Sequence, residues 1–417
     1  MMVTSTISPL LKNGLQLFGL WPDMRYVTVH QLILMSSILI LQYFQYLYAF
    51  TYCRFNDLPH FVETLTVMFY YSLTLIKLTT LWTNRRVVRE ILAAIDSDWD
   101  ECVNVNQHLH MMRTKASASY FCSRGWYIFN TFAGGLYFGG DCAMAMLTSG
   151  NNTARPFPTK LLLPFETEQS PVYEVLAFSL FLHGMLMVYI VATLNALICT
   201  LVLHASGQIN IICEEIKTTS ENMIDPESFA STTKMLIEKH NRIITFSENV
   251  DRLFSFIALM QVLSNTSSTC LLVLATMSVS IAVSQRVFEY VLIEIIIYST
   301  FPNLLMRQFL DDENNVGLLK TIFAYTGMTT EIFIYCFVGE YLSHKSRSLA
   351  DAAYESLWYN MSSNHGKDLL LVIMRSQKQL TITAGGMANL SLEAFTSVSS
   401  QTFLRRYFCN NFAYFCG

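Results

Sequence analysis

Two stretches of this chain, Val175–Leu203 and Leu253–Ser284, each run for about thirty residues without one Asp, Glu, Lys or Arg. A helix needs only about 20 apolar residues to cross the hydrocarbon of a bilayer. No soluble fold hides runs of that length easily, and more of them follow. His30–Phe50 is also free of charge. Phe61–Trp82 is interrupted only by Glu63 and Lys77, Trp126–Thr148 only by Asp141, and Leu318–Leu342 by Lys320, Glu331 and Glu340. Leu380–Leu404 is small and polar in character and holds Glu393. Val287–Leu310 is apolar but holds Glu289, Glu294 and Arg307.

Composition agrees. Charged residues are 14% of the chain, against about 25% in a soluble domain. A net charge of −4 leaves no basic footprint for nucleic acid. Ten cysteines without a CxxC pair do not make a disulfide scaffold. The sequence has no HExxH, P-loop, GxSxG or acidic pair at metal-binding spacing, so neither an enzyme, a metal nor a cofactor is expected. The chain reads as an all-α integral membrane protein, in contact with membrane lipid. No evident internal repeat suggests a transporter.

Lys and Arg accumulate in cytoplasmic loops. Alternate connecting segments carry eighteen of them on one side and three on the other. The N-terminus is therefore placed in the cytoplasm. Eight spans would put the basic segment 343–383 outside, so the expectation is seven transmembrane helices, with Val287–Leu310 re-entrant or interfacial. This divides the chain into a membrane bundle with its loops (1–342), cytoplasmic helices (343–379) and a last span with its tail (380–417). Seven spans would suggest coupling to a G protein. That is not expected here, because the orientation is reversed and neither a DRY-like triplet nor an NPxxY stands where such a receptor carries it.

Between the spans, Ala352–Met361 and Asp368–Gln379 have amphipathic patterns. They either pack as a helical layer beneath the membrane or lie along its surface. Asn151-Asn152-Thr153 is a glycosylation acceptor triplet in the second extracellular loop, with Asn151 as the acceptor.

Polar residues inside spans mark the candidate sites. Asn389, Glu393, Thr396 and Ser400 recur at i, i+4, i+7 and i+11, which places them on one helical face. Such a face lines a cation pore, with Glu393 drawing cations, or packs as a polar seam. Lys77 lies near the cytoplasmic end of its span and is expected to snorkel. Glu331 lies mid-span, for structural pairing or for gating. The outer halves of four spans carry Tyr70, Tyr71, Tyr137, Phe138, Phe178, Phe181, Phe323 and Tyr325, with His183 and Thr326 among them. Together they would suit a small volatile or semi-volatile molecule. The alternative is ordinary packing between helices.

Several runs resemble insect odorant receptors. They are Lys239-His240-Asn241, Phe246-Ser247-Glu248-Asn249-Val250, Thr330-Glu331-Ile332-Phe333-Ile334-Tyr335-Cys336 and Gly339-Glu340-Tyr341-Leu342. Ala352 to Tyr359, Met374 to Lys378, Leu390-Ser391-Leu392-Glu393 and Phe395-Thr396 continue the likeness, and Leu163-Pro164-Phe165 and Ser170 to Glu174 fit as well. The style is similar to that of a bee, ant or wasp receptor. The resemblance implies an odorant-gated cation channel, assembled as a heterotetramer with a shared co-receptor in the plasma membrane of olfactory neuron dendrites. It implies a small hydrophobic odorant bound in the outer half of the bundle. It assigns Asn389, Glu393 and Thr396 to the pore helix, and the cytoplasmic helices, with Tyr354, Trp358 and Leu370, to an anchor between subunits. The chain resembles a tuning subunit, since the co-receptor has a longer intracellular loop.

Two departures stand out. About thirty residues, Ser284–Asp312, intervene where the family passes almost directly from one span to the next, as a non-native insertion would. After Val398 the tail is atypical, with Arg405-Arg406 where cations would pass. That tail motivates the alternative of a receptor-like membrane protein that does not conduct.

Overall fold

The computed structural model describes residues 5–21, 25–52, 58–147, 157–165, 167, 169–221, 226–278, 313–356, 370 and 372–397. They form eight helices: α1 (Pro9–Leu17), α2 (Val27–Tyr52), α3 (Leu58–Thr83), α4 (Arg85–Cys102), α5 (Asn106–Leu147), α6 (Val172–Glu221), α7 (Pro226–Ser278) and α8 (Glu313–Glu355). A two-stranded hairpin follows, β1 (Thr383–Ala384) with β2 (Ala388–Asn389). A further helical turn and a half covers 392–397.

Helix length organises the molecule. α6 has 50 residues and α7 has 53. At 1.5 Å per residue each is about 75 Å long, against a hydrocarbon core of about 30 Å. The apolar run therefore spends itself in the membrane, and the remainder of each helix builds a layer beyond one face. The sequence expects that face to be cytoplasmic. The layer is thus made largely from continuations of the spans. α8 likewise runs through Leu342 to Glu355, so the start of the amphipathic segment at Ala352 is the end of a span helix rather than a separate element.

The outer and inner helices differ in composition for a physical reason. α2 exposes Ile33, Ile40, Tyr43 and Phe50, while burying Gln42, whose amide donates to Ser72 Oγ of α3. That inverts a water-soluble helix, and it follows when the solvent is lipid: apolar side chains lose nothing outside, whereas polar ones must find partners inside. α6 is the central helix. Its most apolar window has a mean hydropathy of 2.4 and is 78% buried. It packs against α5, α7 and α8.

The N-terminal segment is pinned against α3, α4, α5 and α6. Ser8 caps α1 by accepting from Leu11 N at 3.1 Å, and Pro9 starts the helix where no amide donor is needed. Gly14 lets α1 lie against Tyr127 and Thr193, where a Cβ would collide with both. Trp82 Nε1 donates to Phe18 O at 3.1 Å, and Trp99 Nε1 donates to Thr6 Oγ1 at 2.8 Å.

One expected span is not continuous. Leu380–Leu404 reads as a helix by composition, yet Thr383 and Ala384 pair with Asn389 and Ala388 across a turn. Gly385 and Gly386 have φ of +61° and +70°, a conformation that favours glycine. Residues 284–312, the sequon at Asn151, Trp358 and the tail from 398 lie outside the described residues.

Candidate functional site

The aromatic candidates whose side chains are described lie on three helices, α3, α5 and α6. Tyr71 on α3 is fully buried and stacks on His183 of α6, with ring centroids 5.7 Å apart and planes 10° from parallel. Tyr71 Oη lies 3.5 Å from His183 Nδ1. Tyr70 meets Tyr71 edge to face at 6.4 Å. On α5, Tyr137 and Phe138 make a second edge-to-face pair at 5.1 Å. Phe138 is buried because residue 184 is glycine: a Cβ there would stand 2.8 Å from the ring. Phe181 lies beside Gly139 of α5, at a distance where a Cβ would make ordinary contact. Tyr71 and His183 thus join α3 to α6, and Phe138 packs on Gly184 between α5 and α6.

The remaining pocket candidates divide. Phe178 is 63% exposed on the outer surface of α6, so it stands apart from these contacts. Phe181, one turn further along the same helix, is half-buried. Thr326 is half-buried on α8, and the side chains of Phe323 and Tyr325 lie outside the described residues.

One and a half turns below Tyr71 the bundle holds a charge pair. Lys77 Nζ donates to Glu331 Oε2 at 2.8 Å, with the two side chains 1% and 10% exposed. Lys77 therefore does not snorkel. A charged group deep in a helix bundle is tolerated when its partner is at hand, and Glu331 supplies that partner from α8. Two opposite charges in otherwise charge-poor spans were the available signal for this pairing. One turn further along α8, Tyr335 is buried, with its hydroxyl unpartnered among the described residues.

The polar stripe of the last span is corrected by the hairpin. Asn389 sits exposed on β2 and shares no helical face with Glu393 and Thr396, which lie exposed on the 392–397 turn. A clamp that the sequence reading missed holds the hairpin to α7. Asp251 Oδ1 accepts from Thr383 N at 2.6 Å and from Thr383 Oγ1 at 2.9 Å. Gly385 N donates to Ser255 O at 2.9 Å. Gly339 on α8 presses against Leu390, two residues before the last helix begins. α8 therefore touches both the charge pair and the base of the last helix. Of the anchor candidates, Tyr354 and Leu370 are exposed.

The extramembrane layer has its own polar network. His204 Nε2 lies 3.1 Å from Asp98 Oδ2, and its Nδ1 lies 3.1 Å from Thr6 Oγ1. Arg242 makes a two-pronged bond to Glu101, at 2.5 and 2.8 Å. That bond holds the Glu101 carboxyl below its ordinary range. Asp98, His204, Lys239 and Arg242 line a cavity of about 460 Å³ between α4, α6 and α7. Burial, with Arg375 nearby, holds the His240 imidazole down to about 4.

Long apolar helices with a paired charge buried in the bundle define a polytopic helical membrane protein. The sequence profile described as 7tm odorant receptor matches this chain over residues 57–311 and 304–403. The chain belongs to that family. Odorant receptor 2a of Drosophila melanogaster is 30% identical over 93 residues, which cover 22% of this chain and 23% of that protein. Odorant receptor 82a of the same species is 22% identical over 349 residues, 79% of each. The chain spans less than a quarter of the first relative's length and about four fifths of the second's. The fold matches the insect olfactory receptor OR5 from Machilis hrabei, with a TM-score of 0.75, 14% identity and 96% of each chain covered. That receptor in complex with eugenol matches at a TM-score of 0.73.

Proposed function

We propose that this chain is the odorant-tuning subunit of an odorant-gated, non-selective cation channel, working with a shared co-receptor in the dendritic membrane of olfactory neurons. The observation that carries this reading is the match to the odorant receptor profile over residues 57–311 and 304–403. In this reading the odorant binds among the aromatic residues of the spans, Tyr71, Phe138 and His183 included, whose mainly apolar surface with a few polar atoms suits a small hydrophobic molecule. Eugenol, bound by the Machilis receptor, is a ligand of that kind. α8 supplies the route to the pore, because it carries Glu331 beside the bundle core and Gly339 beside Leu390. In this reading Glu393 and Thr396 face the conducting axis. Tyr354 and Leu370, with Trp358, meet neighbouring subunits, and Ser284–Asp312 is dispensable.

The test is to express the chain with and without a co-receptor and record current under an odorant panel. Current that requires both chains supports the reading. In that assembly Glu393→Gln, which removes charge at nearly constant shape, should lower calcium relative to sodium permeation and leave odorant potency unchanged. Odorant binding without current would favour the non-conducting alternative, consistent with Arg405 and Arg406 in the tail. Failure to bind any odorant would refute the assignment.

A further inference from the structure

We propose that Phe333 is a positioning residue that couples α8 to the last helix: its ring, braced along α8 and set against Phe395, carries a displacement of α8 into the segment that opens the channel. This rests on the chain being an odorant-gated channel subunit.

α8 is held on two sides at one level. Glu331 reaches Lys77 of α3. Phe333 follows two residues later, and at about 100° per residue it leaves the helix roughly 200° away, on nearly the opposite side. There its ring meets Phe395 edge to face, with centroids 5.6 Å apart and planes at 73°. A helix gripped by a charge pair on one side and an aromatic contact on the other moves both when it shifts.

The Phe333 ring is also braced. It stacks on Phe337 at 6.0 Å, and Phe337 stacks on Tyr341 at 6.3 Å, so the three rings form a ladder at i, i+4 and i+8. Tyr341 fixes the far end. Lys115 Nζ of α5 donates to its hydroxyl at 2.9 Å, and Ser206 Oγ of α6 lies 3.1 Å from the same oxygen. Phe333 and Phe337 are 36% and 48% exposed, so filling the core does not account for the ladder. The last helix, for its part, is fixed at its base: Asp251 and Ser255 hold the hairpin to α7, and Gly339 presses on Leu390. Phe395 stands more than one turn beyond Leu390. The Phe333 contact therefore acts away from the fixed base, where a push on the helix turns it.

An aromatic pair in this geometry is worth about a two- to tenfold change in an equilibrium. The test records odorant-evoked current with a co-receptor against odorant concentration, divided by the surface density of the chain on intact cells. Phe333→Leu and Phe395→Leu should each raise the half-maximal odorant concentration by about two- to tenfold and lower the maximal current per surface chain. The double variant should be no worse than the worse single one, because the same contact is lost once. Phe333→Tyr keeps the ring and should restore the unmodified response. If Phe333→Leu fails to reach the surface, Phe333→Met, which keeps more of the volume, carries the same expectation.

A role in packing alone lowers surface density and unfolding temperature but leaves potency per surface chain where it was, and that result overturns the proposal. So do additive shifts in the double variant. Spontaneous current in Phe333→Leu without odorant also overturns it, since the contact would then hold the channel shut rather than transmit. A parent current that none of the substitutions moves refutes the coupling residue and keeps the channel. No odorant-evoked current from the unmodified chains refutes the channel reading and the proposal with it.

Discussion

Replacing Lys77 with Met should destabilise this protein by about 3–5 kcal/mol, and replacing Glu331 as well should restore most of the loss. The two charged atoms are 2.8 Å apart. At an effective dielectric of about 20, unit charges at that separation attract by about 6 kcal/mol. Desolvation takes back several kcal/mol for each ion, so the intact pair contributes little net stability. Lys77→Met alone removes the attraction but leaves the Glu331 carboxylate desolvated. Against a total stability of about 5–15 kcal/mol for a typical domain, that is a large fraction. The double variant Lys77→Met/Glu331→Met discards attraction and desolvation together and fills similar volume. Thermal unfolding of purified protein in detergent, with surface labelling in cells, reads all four corners of the cycle. A coupling of about 2 kcal/mol or more is expected, with the double variant near the unmodified protein. Additive losses, or a Lys77→Met variant as stable as the parent, would refute the reasoning. The result also bears on function, because the pair ties α3, which carries Tyr71, to α8, which touches Leu390.

Two further perturbations act in the extramembrane layer. Asp251→Ala removes the single oxygen that accepts from both Thr383 N and Thr383 Oγ1, and should cost about 1.5–3 kcal/mol at the hairpin. It should slow or weaken odorant-evoked current at normal surface density, and unchanged current with unchanged stability would show that the clamp is idle. His240 is held neutral to about 4, by burial first and then by Arg375. An unfolded histidine binds its proton near 6.5. The unfolded chain thus binds more protons between those values, and stability should fall as pH drops from about 6.5 toward 4. His240→Gln should flatten that part of the pH-dependent unfolding curve, and an equal slope in both proteins would rule the residue out.

Membrane character was legible in the sequence because it depends on composition along one helix. An apolar run such as Val175–Leu203 meets the same hydrocarbon whatever its neighbours do, and the helix is the solution open to its backbone. α2, α3 and α6 appear where the runs stood. The aromatic contacts were legible in part for a related reason: residues such as Tyr71, Phe138 and His183 occur at similar depths in their spans. Phe178 was not distinguished from Phe181, since the rotation of a uniformly apolar helix is set by its partners and leaves little trace in its own composition. The partnership of Lys77 with Glu331 joins residues 254 positions apart, and only packing brings α3 against α8 at that height. The same holds for the last segment. By composition Leu380–Leu404 is a polar helix with Gly385 and Gly386 inside it. The tertiary structure turns those glycines into a left-handed corner, because Asp251 and Ser255 on α7 offer the hairpin the hydrogen bonds that an uninterrupted helix would have made with itself.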